Sequence, residues 1–218
     1  LSMTLRVVLL LAIPASLGLV LLREQIVSLL YQGNAFSRQS VALVSWALLW
    51  YAAGLVGHCL VEVISRAFYA LHDTKTPVIV RVGAMTANLV LSIIFSKLFK
   101  SVGWMPHGGL ALANSIATAV ESVILLVLMK KKLGGIEGRS LLNSILKSGF
   151  ASMAMGVLIW NLNVALNNQN RIIAAGVSIL TGLLVYGLVL FLVKTKEAVQ
   201  AVEYLRCRFS LKREQEKD

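Results

Sequence analysis

The stretch from Val41 to Val61 contains no lysine, arginine, aspartate or glutamate, and it is not the only such stretch in the chain. A helix needs roughly 20 mainly apolar residues to cross about 30 Å of hydrocarbon. Six segments meet that demand: about Leu5 to Tyr31, Ser37 to about Leu71, about Pro77 to Lys100, about Gly108 to Met129, about Ser140 to Leu166, and about Arg171 to Val193. The runs are continuous rather than alternating in ten-residue blocks, which argues against a β-barrel. They predict an all-α fold, a polytopic membrane bundle of six transmembrane helices. With 57% hydrophobic residues and a mean hydropathy of +0.78, the chain lies outside the soluble globular range.

Charge is scarce but basic, 21 lysines and arginines against 10 acidic residues. In a soluble protein that balance would suggest nucleic acid. Here the basic residues fall mostly between apolar runs, so membrane lipids are the expected partner and nucleic acid is not. Arg6, Arg66, Lys75, Arg81, Lys130, Lys131, Lys132, Arg139 and Lys147 fall on the side of the N-terminus. So do Lys194, Lys196, Arg206, Arg208, Lys212, Arg213 and Lys217 of the tail. Only Arg23, Arg38, Lys97, Lys100 and Arg171 fall on the other side. Cytoplasmic loops collect positive charge, so both chain ends are predicted to be cytoplasmic. In the tail, residues 194–218, Ala198, Val202, Leu205 and Phe209 recur at helical spacing among charges. That pattern suits an amphipathic helix on an anionic leaflet, and equally a solvated helix without a lipid role. Cys59 and Cys207 give no disulfide framework. The chain opens on Leu1 with no charged n-region, the expectation for a C-terminal piece of something longer.

Glu62 to Val78 forms the sharpest boundary. Glu62 and Arg66 stand four apart and face one another on a helix, with His58 one step back on the same face. Asp73, Lys75, Thr76 and Pro77 then break the helix, because proline disfavours helical geometry before it and lacks a donor. If the helix ends near Leu71, Arg66 lies roughly 8 Å and Glu62 roughly 14 Å from that end. Arg66 reaches the interface by snorkelling, whereas Glu62 needs a partner or water. Two readings stay open: a local ion pair that secures the helix end, or a site for an anionic substrate.

Polar residues inside the other spans are informative because each costs free energy unless paired or wet. Asn88, Ser92 and Ser96 repeat at four on the third span. Asn114, Thr118, Glu121 and Ser122 share a face of the fourth. Together with His58, Glu62 and Arg66 they suggest a hydrated interior. For Asn88, Ser92, Asn114 and Thr118, helix–helix hydrogen bonding is the preferred account. The fifth and sixth spans carry small residues at every fourth position, Ser148, Ser152, Gly156 and Ala174, Ser178, Gly182, which permits close helix approach. There is no His-Glu-x-x-His, paired acidic metal motif, phosphate loop or nucleophile elbow. His72-Asp73 lacks a second acidic or basic partner. No catalytic residue, metal or cofactor is predicted.

Arg66-Ala67-Phe68-Tyr69-Ala70 followed by Asp73-Thr74-Lys75-Thr76-Pro77-Val78 resembles the signature of the MurJ/MviN lipid II flippases, within the multidrug/oligosaccharidyl-lipid/polysaccharide exporter superfamily. Leu30-Tyr31-Gln32-Gly33-Asn34-Ala35-Phe36 agrees, as does Gly109-Leu110-Ala111-Leu112-Ala113-Asn114-Ser115 leading to Met129-Lys130-Lys131-Lys132. The resemblance covers the chain to about Val193 and implies the C-terminal part of a fourteen-helix fold. Residues 1–133 would be the last four helices of the C-terminal lobe, 134–193 two accessory helices lining a groove for a polyprenyl tail, and 194–218 a cytoplasmic tail. The implied function is flipping of lipid-linked peptidoglycan precursor across the bacterial cytoplasmic membrane by alternating access. Such a chain, holding part of one lobe, would not transport alone. The family's headgroup arginines belong to earlier helices and are not carried over. Some relatives hold sodium partly through an Asn and an Asp four apart, which match Asn88 and Ser92 with Asn114 opposite. Ser92 lacks the carboxylate, so the resemblance brings no sodium site. The alternatives are another exporter of the superfamily, for polysaccharide lipids or drugs, and a non-transporting scaffold for cell-wall synthesis proteins.

Overall fold

The computed structural model describes residues 1–31, 38–134, 138–165 and 171–192. These form six helices: α1 (Ser2–Tyr31), α2 (Arg38–Ala70), α3 (Lys75–Ser101), α4 (Pro106–Lys132), α5 (Gly138–Ala165) and α6 (Arg171–Leu192). No strand occurs among the described residues. The first five are long and apolar enough to cross a membrane, and α6 contributes a shorter apolar stretch, Ala175–Phe191. The fold is an all-α polytopic membrane bundle. Residues 32–37, 135–137 and 166–170, and the tail expected as an amphipathic helix, lie outside the described residues.

Helix boundaries follow from local chemistry. At the end of α2 the N–H of Asp73 bonds to the carbonyl of Phe68 and that of His72 to Tyr69. This is a Schellman closure with His72 in the left-handed position at φ 57°, where glycine is the usual choice. The same closure ends α3 with Gly103 at φ 79°, Trp104 and Gly103 donating to Phe99 and Lys100. The next helix then starts at once. The Asp73 carboxylate accepts from the backbone N–H of Thr76 at 3.1 Å and from its hydroxyl at 2.8 Å. Helix α3 therefore begins two residues before the expected Pro77, which the first turn tolerates because its N–H has no helical partner there. Pro106 opens α4 for the same reason.

The helices pack in the lateral order α3, α4, α2, α1, with α5 and α6 against the far side of α1. Thus α4 separates α2 from α3, although those two are joined by a turn of only a few residues. Close approach is built on small residues. A Cβ at Gly54 would lie 2.8 Å from the Ser115 Cα, and the Ser115 hydroxyl donates to the Trp50 carbonyl at 2.6 Å. A Cβ at Gly109 would lie 2.6 Å from the backbone of Phe95, so the glycine of the Gly-Leu-Ala-Leu-Ala-Asn-Ser stretch seats α4 on α3. On the other flank, Gly156 of α5 meets the side chain of Leu17 and Gly182 of α6 meets that of Ile159, each with a Cβ distance of 3.0 Å.

Two apolar cores result. One gathers Leu5, Val61, Ile64, Phe68, Leu125 and Met129 from α1, α2 and α4. The other gathers Leu22, Ala151, Met155, Ile159 and Tyr186 from α1, α5 and α6. Helix α1 serves both, its first half in one and its second half in the other. By contrast none of the apolar window of α3 is buried. Val82, Met85, Leu89 and Ile93 all lie exposed. An aromatic cluster closes the opposite end from the Asp73 turn. Trp46, Trp50, Phe99 and Trp104 meet edge to face at 5.2–5.8 Å. Trp104, from the turn after α3, joins the two indoles of α2.

Candidate functional site

The polar residues of the first four helices gather along α4. On its α2 side, the Asn114 Nδ2 lies 3.1 Å from the His58 Nε2 and the Thr118 Oγ1 lies 3.5 Å from it. Thr118 is buried while His58 is exposed, so the imidazole roofs two polar groups that would otherwise face hydrocarbon. One and two turns further along α2 stand Glu62 and Arg66. The Arg66 guanidinium donates through Nε at 3.0 Å and Nη2 at 2.7 Å to the same Glu62 Oε1. Both side chains are open, Arg66 76% and Glu62 59% exposed. An ion pair that exposed contributes little to stability by itself.

On the α3 side, Glu121 is nearly sealed, 8% exposed, and its Oε1 accepts from the Arg81 Nε at 3.3 Å. Arg81 stays half open at 54%. From the sequence, Arg81 reads as a headgroup-snorkelling residue, and nothing local links it to a carboxylate forty positions away. The signal available was only the rule that a buried carboxylate needs a cation. Asn88 and Ser92 bond within α3, the Ser92 hydroxyl donating to the Asn88 Oδ1 at 3.3 Å. Asn114, expected opposite them, turns to His58. The interior suggested by three neighbouring polar faces is therefore divided: α4 stands between α2 and α3 and shares its polar stripe with both. Among the described residues no three His, Cys, Asp or Glu side chains come together as a metal site.

The Asp73 turn binds three helices at one end of the bundle. Besides capping α3, the Asp73 carboxylate takes the Lys132 ammonium of α4 at 2.5 Å, and the same ammonium sits 5.7 Å from the Phe68 ring centroid. The Lys132 hydrogen bond first, then the backbone N–H and hydroxyl of Thr76, hold the Asp73 carboxyl at about 2, below its usual 3.8. His72 and Asp73 thus have structural work, as helix terminator and latch. The accessory pair has its own polar centre. The Tyr186 hydroxyl donates to the Leu10 carbonyl at 2.5 Å and accepts from Ser148 at 2.9 Å, while the Gln25 amide donates to Asn163 at 2.9 Å.

Comparison with known proteins gives the chain its relatives. The family model described as "Lipid II flippase MurJ" matches residues 1–174. A probable lipid II flippase MurJ of Thermotoga maritima is 31% identical over 187 residues, covering 86% of this chain and 36% of the relative. One of Vibrio cholerae is 35% identical over 120 residues, 55% of this chain and 22% of the relative. A solved structure of a lipid II flippase MurJ in an inward closed conformation superposes with a TM-score of 0.70 at 29% identity, over 85% of this chain and 36% of that one. The chain spans about a third or less of the length of these relatives. With its matched residues running from α1 through the start of α6, the chain belongs to the lipid II flippase MurJ family.

Proposed function

We propose that this chain forms part of a flippase that moves a lipid-linked peptidoglycan precursor from the cytoplasmic to the outer leaflet of the bacterial cytoplasmic membrane by alternating access. The observation that carries the reading is the charged stripe on α2, where Glu62 and Arg66 lie open on a helix whose other surfaces are largely apolar. Charge left open within a span calls for water or a polar partner. A polyprenyl diphosphate supplies an anion that a guanidinium recognises. Arg66 stands at the cytoplasmic mouth and assists entry of the anionic headgroup, with Glu62 holding it in place when no substrate is there. His58 of α2 with Asn114 and Thr118 of α4 continue the polar path inward, while Glu121 with Arg81, and Asn88 with Ser92, form neighbouring polar patches toward α3.

The charge asymmetry orients the bundle, with the Asp73 turn, Lys130, Lys131 and Lys132 and both chain ends in the cytoplasm. An impermeant thiol reagent applied to intact cells should then leave Cys207 unlabelled in a Cys59→Ser background; labelling from outside inverts the topology. The site is tested by lipid flipping with the full-length protein carrying Glu62→Gln, Arg66→Gln, or both, at matched expression. Arg66→Gln should reduce flipping most, because it removes the headgroup contact and strands Glu62. The double replacement should also abolish flipping, with folded protein still in the membrane, because the headgroup contact is gone; a double variant milder than Arg66→Gln would instead reduce the two to a local ion pair. Near-normal flipping in all three variants would reduce the stripe to ordinary helix surface.

A further inference from the structure

Pro14 lies within α1, which continues through it from Ser2 to Tyr31. A proline has no N–H and its ring crowds the carbonyl four residues earlier, so the Leu10 carbonyl loses its helical partner. In lipid an orphan carbonyl is costly, and something must satisfy it. The Tyr186 hydroxyl of α6 does so at 2.5 Å. Ser148 of α5 then completes the Tyr186 oxygen at 2.9 Å. Because the phenolic hydrogen is committed to Leu10, the serine is the donor in that second bond. All three groups are buried: Leu10 is 6%, Tyr186 7% and Ser148 0% exposed.

The location of this closure matters more than the bond itself. Before Pro14, Leu5 packs in the core shared with α2 and α4. After it, Leu17, Leu21 and Leu22 pack in the core shared with α5 and α6. Proline therefore interrupts the helical ladder between these two groups of contacts, although Ser16 beyond it still donates to the Ala52 carbonyl of α2 and Leu141 of α5 packs against the first core. Sharp helix bending concentrates at such interruptions. The geometry points to a hinge in α1 at Pro14, pinned by the Tyr186 hydroxyl. Release of the Leu10 carbonyl by that hydroxyl would then free α1 to bend at Pro14 against the α5–α6 pair. The pin would make the accessory helices a brake on the bending of α1 rather than passive lining.

The test is a double-mutant cycle in the full-length protein with Tyr186→Phe, Pro14→Ala and both. Removing the hydroxyl should lower the thermal unfolding midpoint in detergent by about 2–6 °C when Pro14 is present. With Pro14→Ala the alanine N–H satisfies Leu10 itself, and the same Tyr186→Phe change should then cost less than half as much. Spin labels at the exposed positions Met3 and Leu184 supply the second readout. Their distance distribution should be broader in Tyr186→Phe than in the parent, and should narrow again in the double variant. An equal loss of midpoint in both backgrounds would assign Tyr186 to generic packing or to Ser148 alone. A distance distribution indifferent to Tyr186→Phe would remove the hinge.

Discussion

The two flanks of α1 hold their helices together in different ways. On the α2–α4–α3 side, glycines bring backbones together, with the Gly54 and Gly109 positions set against the backbones of Ser115 and Phe95. Beside neutral contacts such as Ser115 to the Trp50 carbonyl, this side carries two cross-helix ion pairs, Arg81 with Glu121 and Lys132 with Asp73. On the α5–α6 side, glycines meet the ends of Leu17 and Ile159, and the central polar contacts are neutral hydroxyls and amides. Backbone-to-backbone contact with cross-helix charge makes a unit that resists sliding. Side-chain contact with neutral hydrogen bonds tolerates adjustment. The first flank reads as a rigid block and the second as a movable attachment, with Pro14 at the join.

The strongest way to break this contrast is to unpair a buried charge. Arg81→Gln leaves Glu121 sealed without its cation and should cost about 3–5 kcal/mol. Glu121→Gln leaves Arg81 free to turn outward from its half-open site, and should cost less than half as much. Thermal unfolding of the two variants measures the asymmetry, and equal losses would mean that the pair is not anchored at Glu121.

The glycines come next in expected size. Gly109→Ala and Gly54→Ala each press a methyl group into a facing backbone and should destabilise by about 1–3 kcal/mol. Gly156→Ala and Gly182→Ala push only on Leu17 and Ile159 side-chain ends, and should stay below about 1 kcal/mol. If the unfolding midpoints of the two pairs fall equally, the distinction between a block and an attachment is lost.

The latch at Asp73 makes a pH-dependent prediction. Its carboxyl titrates at about 2 in the folded chain against an ordinary 3.8, so the folded state favours the carboxylate. The resulting stabilisation is complete above about pH 4 to 5 and is lost as the pH falls through the folded value. Hydrogen-exchange protection in the turn at 71–76, measured against the intrinsic rate at each pH, should therefore fall between pH 4 and pH 2. Asp73→Asn should show low protection throughout, with no further change over that range. The smallest effect concerns His72. Its left-handed backbone costs an L-residue about 1 kcal/mol, so His72→Gly should raise the unfolding midpoint slightly. A fall would reveal an unrecognised contact of the imidazole.

The helices, the turn at Asp73 and the Glu62–Arg66 pair were determined by the sequence alone, because each depends on residues within a few positions of one another. In hydrocarbon the backbone must bond to itself, so a long uncharged run such as Val41 to Val61 has little choice but to be a helix. A glutamate and an arginine four apart on that helix meet whatever surrounds them. Which faces met was decided only by the tertiary structure. Lipid is as apolar as leucine, so hydrophobicity does not order helices within a membrane, and packing and hydrogen bonds do. The insertion of α4 between α2 and α3, the pairing of Glu121 with Arg81 and the divergence of Asn114 from Asn88 all follow from that packing. The same holds for Tyr186, which reaches a carbonyl 176 residues away in the chain; Pro14 announced an orphan carbonyl at Leu10, but only the assembled bundle could supply its donor.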